Sequence, residues 1–177
     1  MDKKLSAAPP DQGALRELFG SCPTAVSVVT TLNQRGEPRG FTCNALCSLS
    51  LNPPLLLVCV DQQSNTLGPL LAHGAFVVNI LADGAQDVSR VFASKSADKF
   101  AGVEWVPALH AKGSPLLSAA ALAHAECAVV RVLPAGDHCI FIGRVNGVTV
   151  HSRRPLLYYQ GSYAAWDSAV VLASGAR

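Results

Sequence analysis

Gly40-Phe41-Thr42-Cys43-Asn44-Ala45-Leu46-Cys47-Ser48-Leu49-Ser50-Leu51-Asn52-Pro53-Pro54, followed by Leu55-Leu56-Leu57-Val58-Cys59-Val60-Asp61, is the stretch on which the fold turns. Gly40 to Ser50 has extended character, and Asn52-Pro53-Pro54 stops it. Leu55 to Val60 is a continuous apolar run of the length expected for a strand buried on both faces. The same pattern extends outward. Upstream, Ala25-Val26-Ser27-Val28-Val29-Thr30-Thr31 is rich in β-branched residues, and Asn33-Gln34-Arg35-Gly36-Glu37-Pro38 has hairpin chemistry. Downstream, Ala75 to Leu81 is a second buried-strand run. Ala125 to Leu133, a turn at Pro134-Ala135-Gly136-Asp137, and His138 to Val150 have the layout of a long antiparallel hairpin.

Helical stretches are few. Leu15, Leu18 and Phe19 share a helical face within Ala14 to Phe19, and Gly20 and Pro23 end that segment. Ser64 is placed to cap a helix from Asn65 to about Ala72, and Gln86 to Phe92 has the pattern of another. Strands interrupted by short helices, without a βαβ cadence, predict a mainly β fold: a closed or nearly closed barrel with peripheral helices. Residues 1–12 read as a flexible lead-in, 13–168 as one domain and 169–177 as a tail. The tail's Ala169-Val170-Val171-Leu172-Ala173 suits a final strand or a dimer contact.

Of the 177 residues, 50% are hydrophobic and 15% charged, which excludes a disordered chain. A net charge of +2 without a basic cluster argues against nucleic acid. No apolar run reaches the roughly 18 residues of a membrane span, and Met1-Asp2-Lys3-Lys4, followed by small residues and Pro9-Pro10, lacks the apolar stretch of a secretory signal. A cytoplasmic protein without membrane contact is the expectation. Its six cysteines sit mostly in strand-like runs and contain no Cys-x-x-Cys pair, so they read as small hydrophobes. His124 and Cys127 have no matching ligand pair, and no metal is expected. The glycine fingerprint of a Rossmann nucleotide site, the phosphate-binding loop and the hydrolase nucleophile elbow are all missing.

Between Gly40 and Thr66, hydroxyl- and amide-bearing Thr42, Asn44, Ser48 and Ser50 stand in an apolar neighbourhood. Small side chains let a flat ring approach the backbone, whose N–H groups can bond its heteroatoms. An isoalloxazine needs such donors along its polar edge and apolar walls above and below. Ser64-Asn65-Thr66, at an expected helix start, offers hydroxyls and amides to a phosphate.

Taken together, the chain from about Leu15 to Trp166 resembles the flavin reductase family with the split-barrel flavin-binding fold, the small reductase components of two-component flavin-dependent monooxygenases. The likeness rests on Phe19 to Thr31, Gly40 to Pro54, Cys59-Val60-Asp61, Phe76 to Leu81, Phe92-Ala93 with Asp98-Lys99-Phe100, Gly136 to Val145, and Pro155 to Gly161.

The resemblance implies a split β-barrel and an NAD(P)H-dependent flavin reductase that acts on FAD or FMN with NADH (or NADPH) as hydride donor. It further implies a homodimer and a monooxygenase partner that receives the reduced flavin. It puts Gly40, Thr42, Cys43, Asn44 and Ala45 along the flavin ring and ribityl chain, with Cys59, Asp61, Ser64, Asn65 and Thr66 towards the phosphate. Phe92 stands either against the cofactor or in the core. Gly136-Asp137-His138 is similar to the motif that meets the nicotinamide, which makes His138 the catalytic candidate with Asp137 beside it. Tyr158, Tyr159 and Gly161 fall near the same cleft, one tyrosine facing the core because strand neighbours point to opposite faces. Two rivals are a flavin carrier or sensor on the same fold and an oxidase of the pyridoxamine-phosphate type. The His138 motif opposes the first. The second requires a basic cluster that the linear sequence does not display.

Overall fold

Apolar and β-branched runs account for most of the architecture, which a computed structural model describes for residues 9–166. Most of the expected lead-in and all of the 169–177 tail lie outside the described residues. Helix α1 (Gln12–Gly20) opens on Asp11, whose carboxylate accepts from the Ala14 amide at 2.8 Å. Strands β1 (Thr24–Ala25), β2 (Ser27–Leu32), β3 (Pro38–Cys43), β4 (Leu46–Leu51) and β5 (Pro54–Asp61) follow. Then come α2 (Leu67–His73), β6 (Ala75–Leu81), α3 (Gln86–Ala93), β7 (Val106–Pro107) and β8 (Pro115–Leu116). The chain closes with β9 (Ala121–Ala135), β10 (His138–Val150), β11 (Leu156–Tyr159) and β12 (Ser162–Ala165).

Seven antiparallel strands form one sheet in the order β3-β2-β6-β9-β10-β5-β4, and β1-β11-β12 form a smaller one. The β2–β3 hairpin is set by Asn33, whose side-chain oxygen accepts from the Arg35 and Glu37 amides, and by Gly36 at φ 75°. β3 and β4 are the sheet's two edges, yet only Asn44 and Ala45 separate them in the chain. Three peptide units span at most about 11 Å. The sheet must therefore curl until its edges nearly meet, and it stays open there: the expected barrel is split along this seam rather than closed. The continuous extended run expected from Gly40 to Ser50 breaks at the same two residues.

The main core gathers Val29, Leu56, Val58, Val60, Phe76 and Phe141 inside the curl. A second cluster, including Val26, Leu81, Phe92 and Leu156, fills the space under α3 and the smaller sheet. β5 is not buried on both faces as expected: Leu56, Val58 and Val60 are buried, while Leu55, Leu57 and Cys59 remain partly accessible. β6 is, because the segment carrying β7 and β8 packs Ala108 and Ala111 over Ala75 and Val77. Buried Asn79 anchors that segment, accepting from the Leu117 amide at 2.8 Å and donating to the Val28 carbonyl at 3.1 Å. Ser64, expected to cap a helix, instead bonds within the preceding turn and accepts from the Thr66 amide. The seven-residue α2 starts later, at Leu67, with no side-chain cap.

Candidate functional site at the seam of the sheet

Alternation along β3 sorts the seam residues. Cys43 faces the main core, its Sγ 3.8 Å from the Cys59 carbonyl, and burial pushes its thiol up to about 11. Its side chain packs in the core, so it is the backbone that Cys43 presents at the seam. Thr42 faces the other way and donates to the Ser89 carbonyl on α3 at 2.6 Å. Asn44 is exposed at the seam, and Ala45 beside it accepts from the Cys59 amide at 3.1 Å.

Thr42 and Asn44, with Val26, Ser89, Tyr158 and Tyr163, line a cavity of about 220 Å³. Asn44 and Tyr158 also border a wider cleft of about 690 Å³, walled by α1 residues such as Leu15 and Phe19 and by Gly161. Thr24 lies in this cleft with its hydroxyl buried and unpaired, a polar atom left for a ligand to satisfy. Tyr158 and Tyr163 meet edge to face at 5.4 Å, while Tyr159 points outward.

A third cavity, about 190 Å³, opens beside Gly40 and is lined by Arg39, Asn65, Thr66, Ser96 and Lys99. Gly40 and Thr42 alternate on one face of β3, so this basic corner lies about 7 Å along the strand from the ring-sized cavity. Lys99 Nζ donates to the Phe92 carbonyl at 2.8 Å and the Gly40 carbonyl at 3.3 Å, and Thr66 Oγ1 reaches the same Gly40 oxygen at 3.2 Å. Desolvation holds the Lys99 pKa below the usual lysine value. The cations at this corner are Lys99 and Arg39, the latter paired with Glu37 at 2.7 Å, and Asn65 and Thr66 stand ahead of the start of α2 at Leu67.

Phe92, open from sequence between the cofactor and the core, sits in the core. It is 0% exposed, packs edge-on to Phe100 at 4.9 Å and closes against Gly40, where an added Cβ would sit 2.8 Å from its ring. It is the core floor beneath β3.

Asp137 and His138 sit at the tip of the β9–β10 hairpin, 2.7 Å apart, and the hydrogen bond to His138 draws the Asp137 carboxyl below its ordinary range. Gln62 ties this tip to the end of β5: its side-chain amide donates to the Gly136 carbonyl at 3.1 Å and its backbone N–H to the Asp137 carbonyl at 3.0 Å. His138 pairs in register with Asp61, two residues beyond Cys59 on the seam side. Neither Asp137 nor His138 lines the cavities described above. Thr42, Asn44, Tyr158 and Gly161 are thus brought together, as are Gly40, Asn65 and Thr66. Cys59, Asp61 and Ser64 lie between the seam and the hairpin tip. Ser89, Tyr163, Arg39 and Lys99 join the site without having been singled out from sequence. Only Lys99, within the Asp98-Lys99-Phe100 segment that carries part of the likeness, has a local signal.

A flat ring with a polar edge and an anionic tail fits this arrangement: hydroxyl and amide groups between apolar walls, with two cations one step along the strand. The chain matches the family model described as flavin reductase like domain over residues 19–167. It is 46% identical over 158 residues to a flavin reductase (NADH) of Kitasatospora aureofaciens, covering 88% of this chain and 82% of that protein. A flavin-dependent monooxygenase reductase subunit of Rhodococcus jostii is 37% identical, covering 92% and 82%. Among solved structures, nitrilotriacetate monooxygenase component B of Mycobacterium thermoresistibile superposes with a TM-score of 0.87 at 37% identity, covering 94% of this chain and 92% of that one. The Streptomyces globisporus NADH:FAD oxidoreductase, solved with NAD and FAD fragments, gives 0.84 at 38% identity, covering 90% and 95%.

Proposed function

Because this chain belongs to the flavin reductase-like family, we propose that it moves hydride from NADH to FAD or FMN and hands the reduced flavin to a partner monooxygenase. The observation that carries the site is the pairing on β3 of the Thr42–Asn44 cavity with the Lys99–Arg39 corner. When bound, the flavin would supply the electron sink that accepts hydride from the dihydronicotinamide. The protein's task is placement. Thr42 and Asn44 would hold the polar edge of the ring, and Lys99 with Arg39 would hold the phosphate. Tyr158 would form an apolar wall where the wider cleft has room for the second ring. His138 orients the nicotinamide carboxamide or delivers a proton to the reduced product, with Asp137 steadying its ring. Anaerobic mixing of protein, flavin and NADH tests the reading: the oxidised flavin's visible absorbance should bleach, and its persistence would reject a reductase.

His138→Ala should raise the NADH KM about tenfold, the loss of one hydrogen bond of about 1.4 kcal/mol. Flavin affinity should stay unchanged. Steady-state rates across NADH concentration check this, and an unaltered kcat/KM would remove the histidine from the reaction.

A homodimer suits the apolar surface the described fold leaves uncovered. α1 buries none of its residues, with Leu18 61% and Phe19 70% exposed, and edge strand β4 shows Leu51 at 91%. A cytoplasmic setting suits six cysteines that are all free thiols. Among the described residues no helix is long and apolar enough to cross a membrane.

A further inference from the structure

An imidazolium carries two N–H donors, so a histidine holds charge readily only where both nitrogens find an acceptor or water. Three of the five histidines fail that condition: Nε2 of His73, His124 and His151 is buried without a hydrogen-bond partner. All three stand around one segment, residues 106–118, which carries β7 and β8 across the outer face of the sheet. Lys112 in this strap, at φ 52°, donates through Nζ to the His73 carbonyl at 3.1 Å. His124, 4% exposed on β9, lies beside the Leu117 carbonyl at the strap's far end. His151 meets His124 edge to face, their ring centroids 5.6 Å apart. Few bonds tie the strap to the sheet: Asn79 and Glu126 accept from the Leu117 and His110 amides, and Thr30 donates to the Pro115 carbonyl.

The charges nearby also oppose protonation. Lys112 faces His73. Against His124 stand His151 and Arg153, the latter donating to the Ser118, Ala119 and Ala121 carbonyls, while Glu126 on β9 pulls the other way. Desolvation, reinforced by these neighbours, holds the His73 and His124 pKa values below the ordinary 6.5. We infer that the 106–118 strap is an acid-sensitive latch, closed while His73 and His124 are neutral and released when they take up protons. Once the strap lifts, both imidazoles meet water and regain their ordinary affinity for a proton. Below about pH 6.5 the open form therefore binds more protons than the closed one, and each pH unit can favour opening up to about tenfold per imidazole. Above that value both forms are neutral, and the latch is indifferent to pH.

Hydrogen exchange of the full chain at about pH 7.5 and about pH 5.5, corrected for the intrinsic pH dependence of exchange, tests the latch. Protection of the His110, Gly113, Ser114 and Leu117 amides should fall about 10- to 100-fold at the lower pH. The paired amides of β2 and β6 should keep theirs. His73→Asn and His124→Asn should each remove up to about tenfold of the fall, and the double variant nearly all of it. Strap protection that ignores pH overturns the proposal, as does a loss shared equally by β2 and β6 or a fall that survives in the double variant. An NMR titration of the wild-type imidazoles keeps the test independent of whether the variants fold. The His124 ring should stay neutral until the strap amides lose protection. A ring that titrates at its ordinary value under a still-protected strap also overturns the latch.

Discussion

Lys99→Met should raise the KM for FMN by about 10- to 100-fold while leaving riboflavin, which has no phosphate, almost unaffected. The span follows from a charge-assisted hydrogen bond of about 1.5–3 kcal/mol. Lys99 is the half-buried cation of the corner beside Gly40, and water competes less there than at an exposed lysine. Its removal also leaves the Phe92 and Gly40 carbonyls without this donor, so some loss of stability accompanies the change. The riboflavin comparison separates the two effects, because lost stability would weaken both ligands alike. Lys99→Arg should restore most of the FMN affinity. Desolvation lowers the Lys99 pKa, so the lysine loses its charge sooner than a free one as pH rises. FMN affinity should fall through that lowered value while riboflavin affinity stays level. Parallel losses for both flavins would remove Lys99 from phosphate binding.

Gly143→Ala should lower Tm by roughly 6–12 °C, taking a cost of about 3 kcal/mol for overpacking and about 2–4 °C per kcal/mol. A Cβ at Gly143 would sit 2.5 Å from Phe76 Cζ and 3.1 Å from Cys127 Cβ. Both neighbours are fully buried, so neither can swing away. The contrast is Gly68, in α2 with nothing within 4 Å of its Cβ position. There Gly→Ala should stabilise by up to about 1 kcal/mol through helix propensity. Thermal unfolding of the two variants measures the difference, and a Gly143→Ala protein as stable as wild type would mean the strands can part at no cost.

Local chemistry was readable in the sequence. The Asn33–Gly36 turn, the aliphatic run of β6 and the β9–β10 hairpin each carry their own signal within a few residues, and each formed as expected. What depends on distant encounters was not. Asn44 and Ala45 look like the middle of one strand; only the order of the whole sheet shows that they join its two edges. Arg39 and Lys99 are far apart in the chain, so the basic corner has no linear signature. Phe92 was readable as aromatic and inward-facing, but whether it floors the cavity or lines it depends on Gly40 offering no side chain above it. Ser64 sits before a helix in sequence, yet the turn claims its oxygen first. The likeness carried by the Gly40 to Pro54 and Gly136 to Val145 segments reached the activity where residue-level chemistry alone stopped at a flat ring.

The two-residue link between the sheet's outermost strands acts as a clasp. Because its ends are fixed by opposite margins of one sheet, opening at Asn44–Ala45 and unzipping of the margins are the same motion. A guest seated on the clasp therefore draws on the cohesion of all seven strands. Its departure is resisted, or eased, by the whole curl rather than by a loose loop.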